Sequence, residues 1–494
     1  MSETTLQLGI IGGYLLLALA IGLVAYRLTD RTAEDYYLAS RTLGTVVLLF
    51  TTFATLLSAF TFFGGPNVAY AAGPEWILVM GLMDGVLFAI LWYVVGYKQW
   101  LVGKKHGYVT LGEMLGDRFG SPLLRGLVAG ISLFWLFPYV MLQQIGAGTA
   151  LEALTNGGVP YWAGAGLVTV FMIAYVVLAG MRGVAWTDTL QGAFMLVMVW
   201  AAVAWILAAV GGAEEATASL ASSNPEFLAL GGGLYSAPYI ISTAVSIAFG
   251  VAMFPQVNQR FFVARSKKVL KQTFSLWPIL VVLLFVPAFM LGAWAKGLGV
   301  AVPEGGNVLP ILLNEYAPAW FAALVIAGAM AAMMSSSDSM LLSGSSYLTR
   351  DLYRPFVNAH ASDRKEDLLA RVAVAAFAIL AFVASLFSPR ALVEIGDTAF
   401  GGYAQLALPV IAALYWSKTT RAGMFAGIGG SQTFYLASVF VPFVPGSYSV
   451  LGSAGWSSSI VGMLLGLVLT VGVSALTTPA ADEHPSVYEG LRAD

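Results

Sequence analysis

The sequence predicts an all-α polytopic membrane protein, and three observations carry that prediction. Hydrophobic residues make up 59% of the chain and charged residues only 10%, a balance far outside that of soluble globular domains. The apolar residues fall into thirteen blocks, each long enough to cross about 30 Å of hydrocarbon. The basic residues fall almost entirely between blocks that would share one side of a membrane.

In order, the blocks lie near residues 6–26, 44–72, 76–97, 122–150, 160–180, 187–210, 238–262, 274–295, 318–348, 369–387, 391–415, 423–443 and 457–477. The first has no basic residue ahead of it and runs into a charged loop, so it reads as a retained helix and not a cleaved leader. With the N-terminus outside, the loops holding Arg27, Arg31, Arg41, Lys98, Lys104, Lys105, Arg118 and Arg182 are cytoplasmic, as are those with Arg260, Arg265, Lys267, Lys268, Lys271, Arg350 and Arg354. Of 24 basic residues, Lys296 and Arg390 fall outside. This arrangement places the C-terminus in the cytoplasm and the protein in the plasma membrane.

The loops also carry local signals. The run 27–41 is expected to lie at the interface, with Tyr36 and Tyr37 at headgroup level. Thr110 followed by Glu113 predicts a capped helix over 107–121. The highly charged loop 349–371 is expected to be solvated. There is no cysteine, and three scattered histidines suggest no metal cluster.

Two blocks are interrupted. In 51-TTFATLLSAFTFFGGPNVAYAAG-73, Gly64, Gly65 and Pro66 are expected to unwind the helix; in 249-FGVAMFPQVNQRFF-262, Pro255 plays that part. Freed carbonyls at membrane depth need a hydrogen bond or a cation. The interrupted blocks lie five spans apart, the spacing of a five-plus-five inverted repeat. The expected organisation is therefore an extra N-terminal helix and interfacial loop (1–43), a first repeat (44–210), a second repeat (238–415), two C-terminal helices (416–478) and a cytoplasmic tail (479–494). Paired broken helices point to a transporter whose site lies between them.

A third stretch, 326-IAGAMAAMMSSSDSMLLSGSSYLTRDLY-353, places Ser335, Ser336, Ser337, Asp338 and Ser339 in a row within an apolar span. Such groups belong against protein or water, not lipid. Asp84 is a further intramembrane acid. Asp397 falls in the outer half of its span, where it could line the entrance, and Gln143 and Gln144 are candidate interhelical amides.

The run 180-GMRGVAWTDTLQ-191, the serine-rich 331-AAMMSSSDSMLLSGSSYLTRDLY-353, the broken 58-SAFTFFGGPNVAYAAG-73 and the Pro255–Arg260 region together resemble the sodium:solute symporters, which include sodium/proline, sodium/pantothenate and sodium/galactose carriers. The resemblance implies a sodium site built from the backbone carbonyls of Ala54, Leu57 and Ala332 and the hydroxyls of Ser335 and Ser336, with Asp188 on the ion's cytoplasmic path. Hard oxygen donors suit sodium, and residues three apart share a helix face. Asp188 also admits a simpler reading, as a helix-start charge or a partner of Arg182. The chain departs from relatives at Leu56, where the proline carriers have aspartate and the galactose carriers asparagine. Phe254 and Val257 stand where galactose carriers have an asparagine and a tyrosine. The wall Ala59, Phe60, Thr61, Phe62, Phe63 is poor in hydrogen-bonding groups, which disfavours a sugar.

The expected function is sodium-coupled import, by alternating access, of a small organic solute: a monocarboxylate, pantothenate or an amino acid such as proline. Thr61, Gly65, Asn67, Gln143, Phe254 and Gln256 are expected near the solute. Sodium is the coupling ion, no other cofactor and no nucleic acid is expected, and a monomer in the bilayer suffices. No nucleotide loop or nucleophile elbow suggests an enzyme. A proton-coupled carrier of the same fold is the alternative; a channel or membrane sensor fits less well.

Overall fold

The structure, a computed structural model, describes residues 2–27, 33–388, 392–441 and 454–483. The chain runs through α1 (Glu3–Arg27), α2 (Ala33–Leu38), α3 (Thr45–Leu56), α4 (Phe60–Ala72), α5 (Leu78–His106), α6 (Leu111–Arg118) and α7 (Pro122–Leu154). A 50-residue helical stretch, Tyr161–Val210, follows, and Gly180 divides it into α8 (161–179) and α9 (Gly180–Val210). Its φ of 57° with ψ −160° is a conformation that glycine alone adopts freely. Unbroken, that stretch would span about 75 Å, more than twice a bilayer. Next come α10 (Ala213–Ser223), α11 (Ala237–Ala252), α12 (Pro255–Val263), α13 (Lys267–Gly297), α14 (Val308–Tyr316), α15 (Ala319–Phe356) and α16 (Asp363–Ser385), then α17 (Leu392–Tyr415), α18 (Arg421–Phe440) and α19 (Ser458–Leu476).

Among the described residues nine helices are long and apolar enough to cross a membrane, and eleven spans result when α3 with α4 and α11 with α12 are each taken as one. Tyr161–Ala174 is apolar but shorter, and α18 has 20 residues. No strand forms among the described residues beyond a single bridge of Leu43 to Ala264. Helices dominate because, in hydrocarbon, a helix satisfies its own backbone.

At the centre stands α15, buried without interruption from Val325 to Tyr347, which explains how a serine-rich helix is tolerated. It packs on α1, α3, α7 and α9. Helix α13 lies so close to α4 that a Cβ on Gly292 would fall 2.1 Å from the Pro66 carbonyl.

The cytoplasm-assigned end is more ordered than the sequence suggests. Tyr36 and Tyr37 are buried, not interfacial: the Tyr37 hydroxyl is 2.8 Å from Thr349 Oγ1. The charged stretch 349–371 is not simply solvated, because α15 continues to Phe356 and draws its charges inward. Thr110 caps α6 by accepting from the Glu113 amide at 3.0 Å, while the Glu113 carboxylate accepts from the Val109 amide at 2.7 Å. The same carboxylate pairs with Arg350 at 2.6 Å and Arg125 at 3.1 Å, and Arg125 also reaches Asp351 at 2.7 Å. One small helix thus ties α7 to α15.

Burial alone would raise the Glu113 carboxyl, but the Arg350 and Arg125 guanidiniums and the Val109 N–H outweigh it and hold the group below its ordinary 4.5. A depressed carboxyl contributes stability that is present above the unfolded-state value and is lost as pH falls through the folded one. Glu113→Gln should lower stability at pH 7 by roughly 1–3 kcal/mol and flatten the acid side of a plot of detergent-solubilised melting temperature against pH.

Candidate functional site

The site begins where a helix stops. Leu57 leaves α3 with extended backbone (φ −85°, ψ 125°), and α4 resumes at Phe60 after a 60° bend. The sequence places this break at Gly64–Pro66; the structure places it at Leu57–Ala59 instead. A π-turn over Phe60–Gly64 precedes Pro66, which sits in the first turn of the α-helical Gly65–Ala72, where its missing amide proton costs no hydrogen bond. Gly65 serves packing, since a Cβ there would overlap the Phe289 ring.

Several polar groups released by the break find side chains. The Ala59 amide donates to Gln143 Oε1 at 2.8 Å and the Phe60 amide to Ser58 Oγ at 3.2 Å, which is itself 3.0 Å from the Tyr139 hydroxyl. The Ser336 hydroxyl on α15 lies 2.9 Å from the Thr55 carbonyl and 2.7 Å from that of Leu57. The second break falls at Met253–Phe254, with a 55° bend. Phe254 is driven to ψ 133° by Pro255 behind it, as the sequence predicts. Asn258 Nδ2 covers the Phe254 carbonyl at 2.7 Å.

The expected sodium ligands Ala54, Leu57, Ala332, Ser335 and Ser336 are all buried, and Ser336 joins α15 to the Leu57 carbonyl. Ser335 turns the other way, donating to Asp188 Oδ1 at 2.5 Å. The other Asp188 oxygen accepts from Thr51 at 2.5 Å and from Arg260 Nη2 at 3.2 Å, and Arg260 also reaches Ser339. The simpler alternative for Asp188, a pairing with Arg182, does not form: six residues along one helix leaves them about 120° apart, and Arg182 binds Asp35 at 2.7 Å. Nor is Arg260 a loop residue: α12 continues to Val263 and buries it to 1% exposure. Neither Asp338 oxygen has a hydrogen-bond partner, and neither do Ser337 Oγ and Arg260 Nε and Nη1. Carbonyls and hydroxyls gathered without a full anion at Leu57 and Ser336 can hold a hard monovalent cation.

Between the two breaks lies a cavity of about 30 Å³, lined by Phe60, Thr61, Tyr139, Phe254, Trp277 and Phe400 among others. Phe254 stacks on Phe400 at 5.6 Å, and Tyr139 meets both rings. Thr61 and Phe254 are therefore in the wall, and Gln143 is one layer behind it. Gln256 is buried outside the cavity with Oε1 unpartnered. Asn67 stands apart: it grips the 306–308 loop, accepting from the Val308 amide at 3.0 Å, beside an open cavity of about 640 Å³. Gln144 is interhelical, donating to Thr169 and to the Ala378 carbonyl, each at 3.0 Å. The Asp84 side chain and the tail past Glu483 lie outside the described residues. Sequence reasoning missed Tyr139 and the role of Arg260. The signals were available: Tyr139 precedes Gln143 by one helical turn, and Arg260 is a lone charge between broken backbone and two phenylalanines.

A sequence model of the sodium:solute symporter family matches residues 36–430. The chain is 28% identical over 448 residues to a sodium/pantothenate symporter of Escherichia coli (strain K12), covering 87% of this chain and 92% of that one. It is also 28% identical over 431 residues to the high-affinity proline transporter PutP of Bacillus subtilis (strain 168), covering 83% and 87%. Among solved structures, a substrate-bound, outward-open Na⁺-coupled sialic acid symporter superposes with a TM-score of 0.80 at 21% identity, covering 97% of this chain and 99% of that one.

Removing one member of a buried ion pair strands the other. Arg260→Met should cost about 3–5 kcal/mol, and Asp188→Asn combined with Arg260→Met should cost less than the sum of the two single changes. Thermal unfolding of the three variants in detergent measures the coupling.

Proposed function

The chain belongs to the sodium:solute symporter family, and on that premise we propose that it imports a compact organic acid or amino acid, with pantothenate, proline and small monocarboxylates as the candidates, together with sodium. It is a multi-pass membrane transporter and not an enzyme. The observation that carries the proposal is the Ser336 hydroxyl set against the Thr55 and Leu57 carbonyls at the first helix break. Sodium arriving there would take over those oxygens, with Ala54, Ala332 and Ser335 completing its shell. The ion would then fix the distance between α15 and the broken helix.

The lining of the cavity beside it suits a compact, sparingly polar solute, which the space of about 30 Å³ admits only when the surrounding helices move apart. Its polar lining is confined to groups such as the Thr61 and Tyr139 hydroxyls, and each unpaired hydroxyl of a buried polyol would cost about 1–3 kcal/mol. The carriers of pantothenate and proline to which the chain is similar move solutes of the proposed kind. Because ion and solute sites share the Leu56–Thr61 segment, each ligand raises the other's affinity by the same factor. Inward sodium movement adds about 2.3 kcal/mol per 100 mV of potential. The positive-inside pattern supports an external N-terminus and a cytoplasmic C-terminus in the plasma membrane.

A proton-coupled reading has one observation in its favour, the unpartnered Asp338 carboxylate. Uptake into proteoliposomes of labelled pantothenate, proline, other amino acids and monocarboxylates separates the two. We expect accumulation of one panel member under an inward sodium gradient, reduced at least about tenfold by Ser335→Ala or Ser336→Ala. Uptake that follows a pH gradient and ignores sodium and both serines overturns the sodium reading.

A further inference from the structure

A third cavity, of about 420 Å³, opens where the N-terminal parts of α11 and α17 and the first turn of α19 meet the C-terminal part of α18. This is the end opposite the basic loops, since α11 runs from here toward Arg260 and α17 from here toward Lys418 and Arg421. Its lining joins the Thr243, Ser246 and Ser458 hydroxyls, the Tyr239 and Tyr435 rings and Asp397 with the apolar Ile247 and Val439, and no basic residue is among the described lining residues. The Asp397 side chain is half-buried, its Oδ1 atom is buried and has no hydrogen-bond partner, and Tyr239 and Tyr435 line the same cavity. Nearby groups are already engaged with one another: Tyr435 donates to the Thr398 carbonyl at 3.0 Å and Ser246 to Ser459 at 2.7 Å.

A half-buried carboxylate with no basic partner among the described lining residues can take its counter-charge from a ligand. The volume is that of a small-molecule site and far larger than a bare ion requires. A carboxylate between two tyrosine rings and a ring of hydroxyls matches an ammonium group, which gains from ion pairing, from cation–π contact and from acceptors for its N–H bonds. Ile247 lines both this cavity and the one between the helix breaks, so the two approach each other at this side chain.

We propose that this cavity is an outward vestibule that binds the ammonium group of an organic solute through Asp397 and passes it by Ile247 to the central cavity. The vestibule narrows the solute to an amine-bearing one, an amino acid above a simple monocarboxylate or pantothenate. That narrowing rests on the transport reading above; the binding site itself does not.

The chain has no cysteine, so single-cysteine labelling tests the site in proteoliposomes without background. Ser458→Cys places a thiol in the cavity, and Ser222→Cys, on an exposed surface, reports intrinsic reactivity. Relative to Ser222→Cys, Ser458→Cys should prefer the cationic trimethylammonioethyl methanethiosulfonate over the anionic sulfonatoethyl reagent by about tenfold or more. The preference should vanish with Asp397→Asn and persist with Asp397→Glu. Tetramethylammonium chloride should slow labelling by the neutral methyl reagent, and sodium chloride at the same ionic strength should not. A preference that survives Asp397→Asn, or equal protection by sodium, overturns the proposal. Labelling requires no transport, so charge preference without sodium-driven uptake removes only the transport reading, and the reverse removes only the vestibule.

Discussion

The structure depends on what happens to backbone groups released where no water can reach them. At Leu57–Ala59 the helix gives up its own hydrogen bonds, and each released group would cost several kcal/mol if left bare in hydrocarbon. The fold answers with side chains from two other helices: Gln143 from α7 takes the Ala59 amide, and Ser336 from α15 takes the Thr55 and Leu57 carbonyls. A break satisfied by side chains, not by its own helix, can exchange one partner for another. That property allows a local defect to become a binding site.

The Asp188–Arg260 cluster follows the same logic with full charges. Two ions in the interior lose far more hydration than their attraction alone returns, and the hydroxyls of Thr51, Ser335 and Ser339 offset the difference. Because Arg260 comes from the second broken pair, Asp188 from α9 and Ser339 from α15, the cluster joins elements of both expected repeats near the proposed ion site. Its neighbour Asp338 receives no such support. The interior therefore contains one compensated acid and one uncompensated acid within a single helical neighbourhood.

The two ends of the bundle are built on different principles. At the basic end, Glu113 gathers arginines from α7 and α15 around a capped helix, and the charges cancel in pairs. At the opposite end, Asp397 has no basic neighbour among the described lining residues of its cavity and faces hydroxyls and aromatic rings. Paired charge gives a fixed scaffold, whereas unpaired charge beside a cavity gives a place for something that arrives from outside.

What the sequence by itself determined was set by composition and local chemistry. Long apolar blocks required helices, Pro255 required a break one residue ahead of it, Thr110 and Glu113 required a cap, and the serines of α15 required protein or water in place of lipid. These follow from backbone sterics and from the cost of polar groups in lipid, which act over a few residues. Only the tertiary structure decided which groups meet. The first break fell at Leu57, while Gly65 packs under Phe289 and a π-turn precedes Pro66; Asp188 met Arg260 and not Arg182 because helical phase turned Arg182 to Asp35; Asn67 went to a loop anchor and Tyr139 to the cavity wall. Such pairings join residues tens to hundreds of positions apart, and their geometry is fixed by how helices pack, which no local pattern encodes.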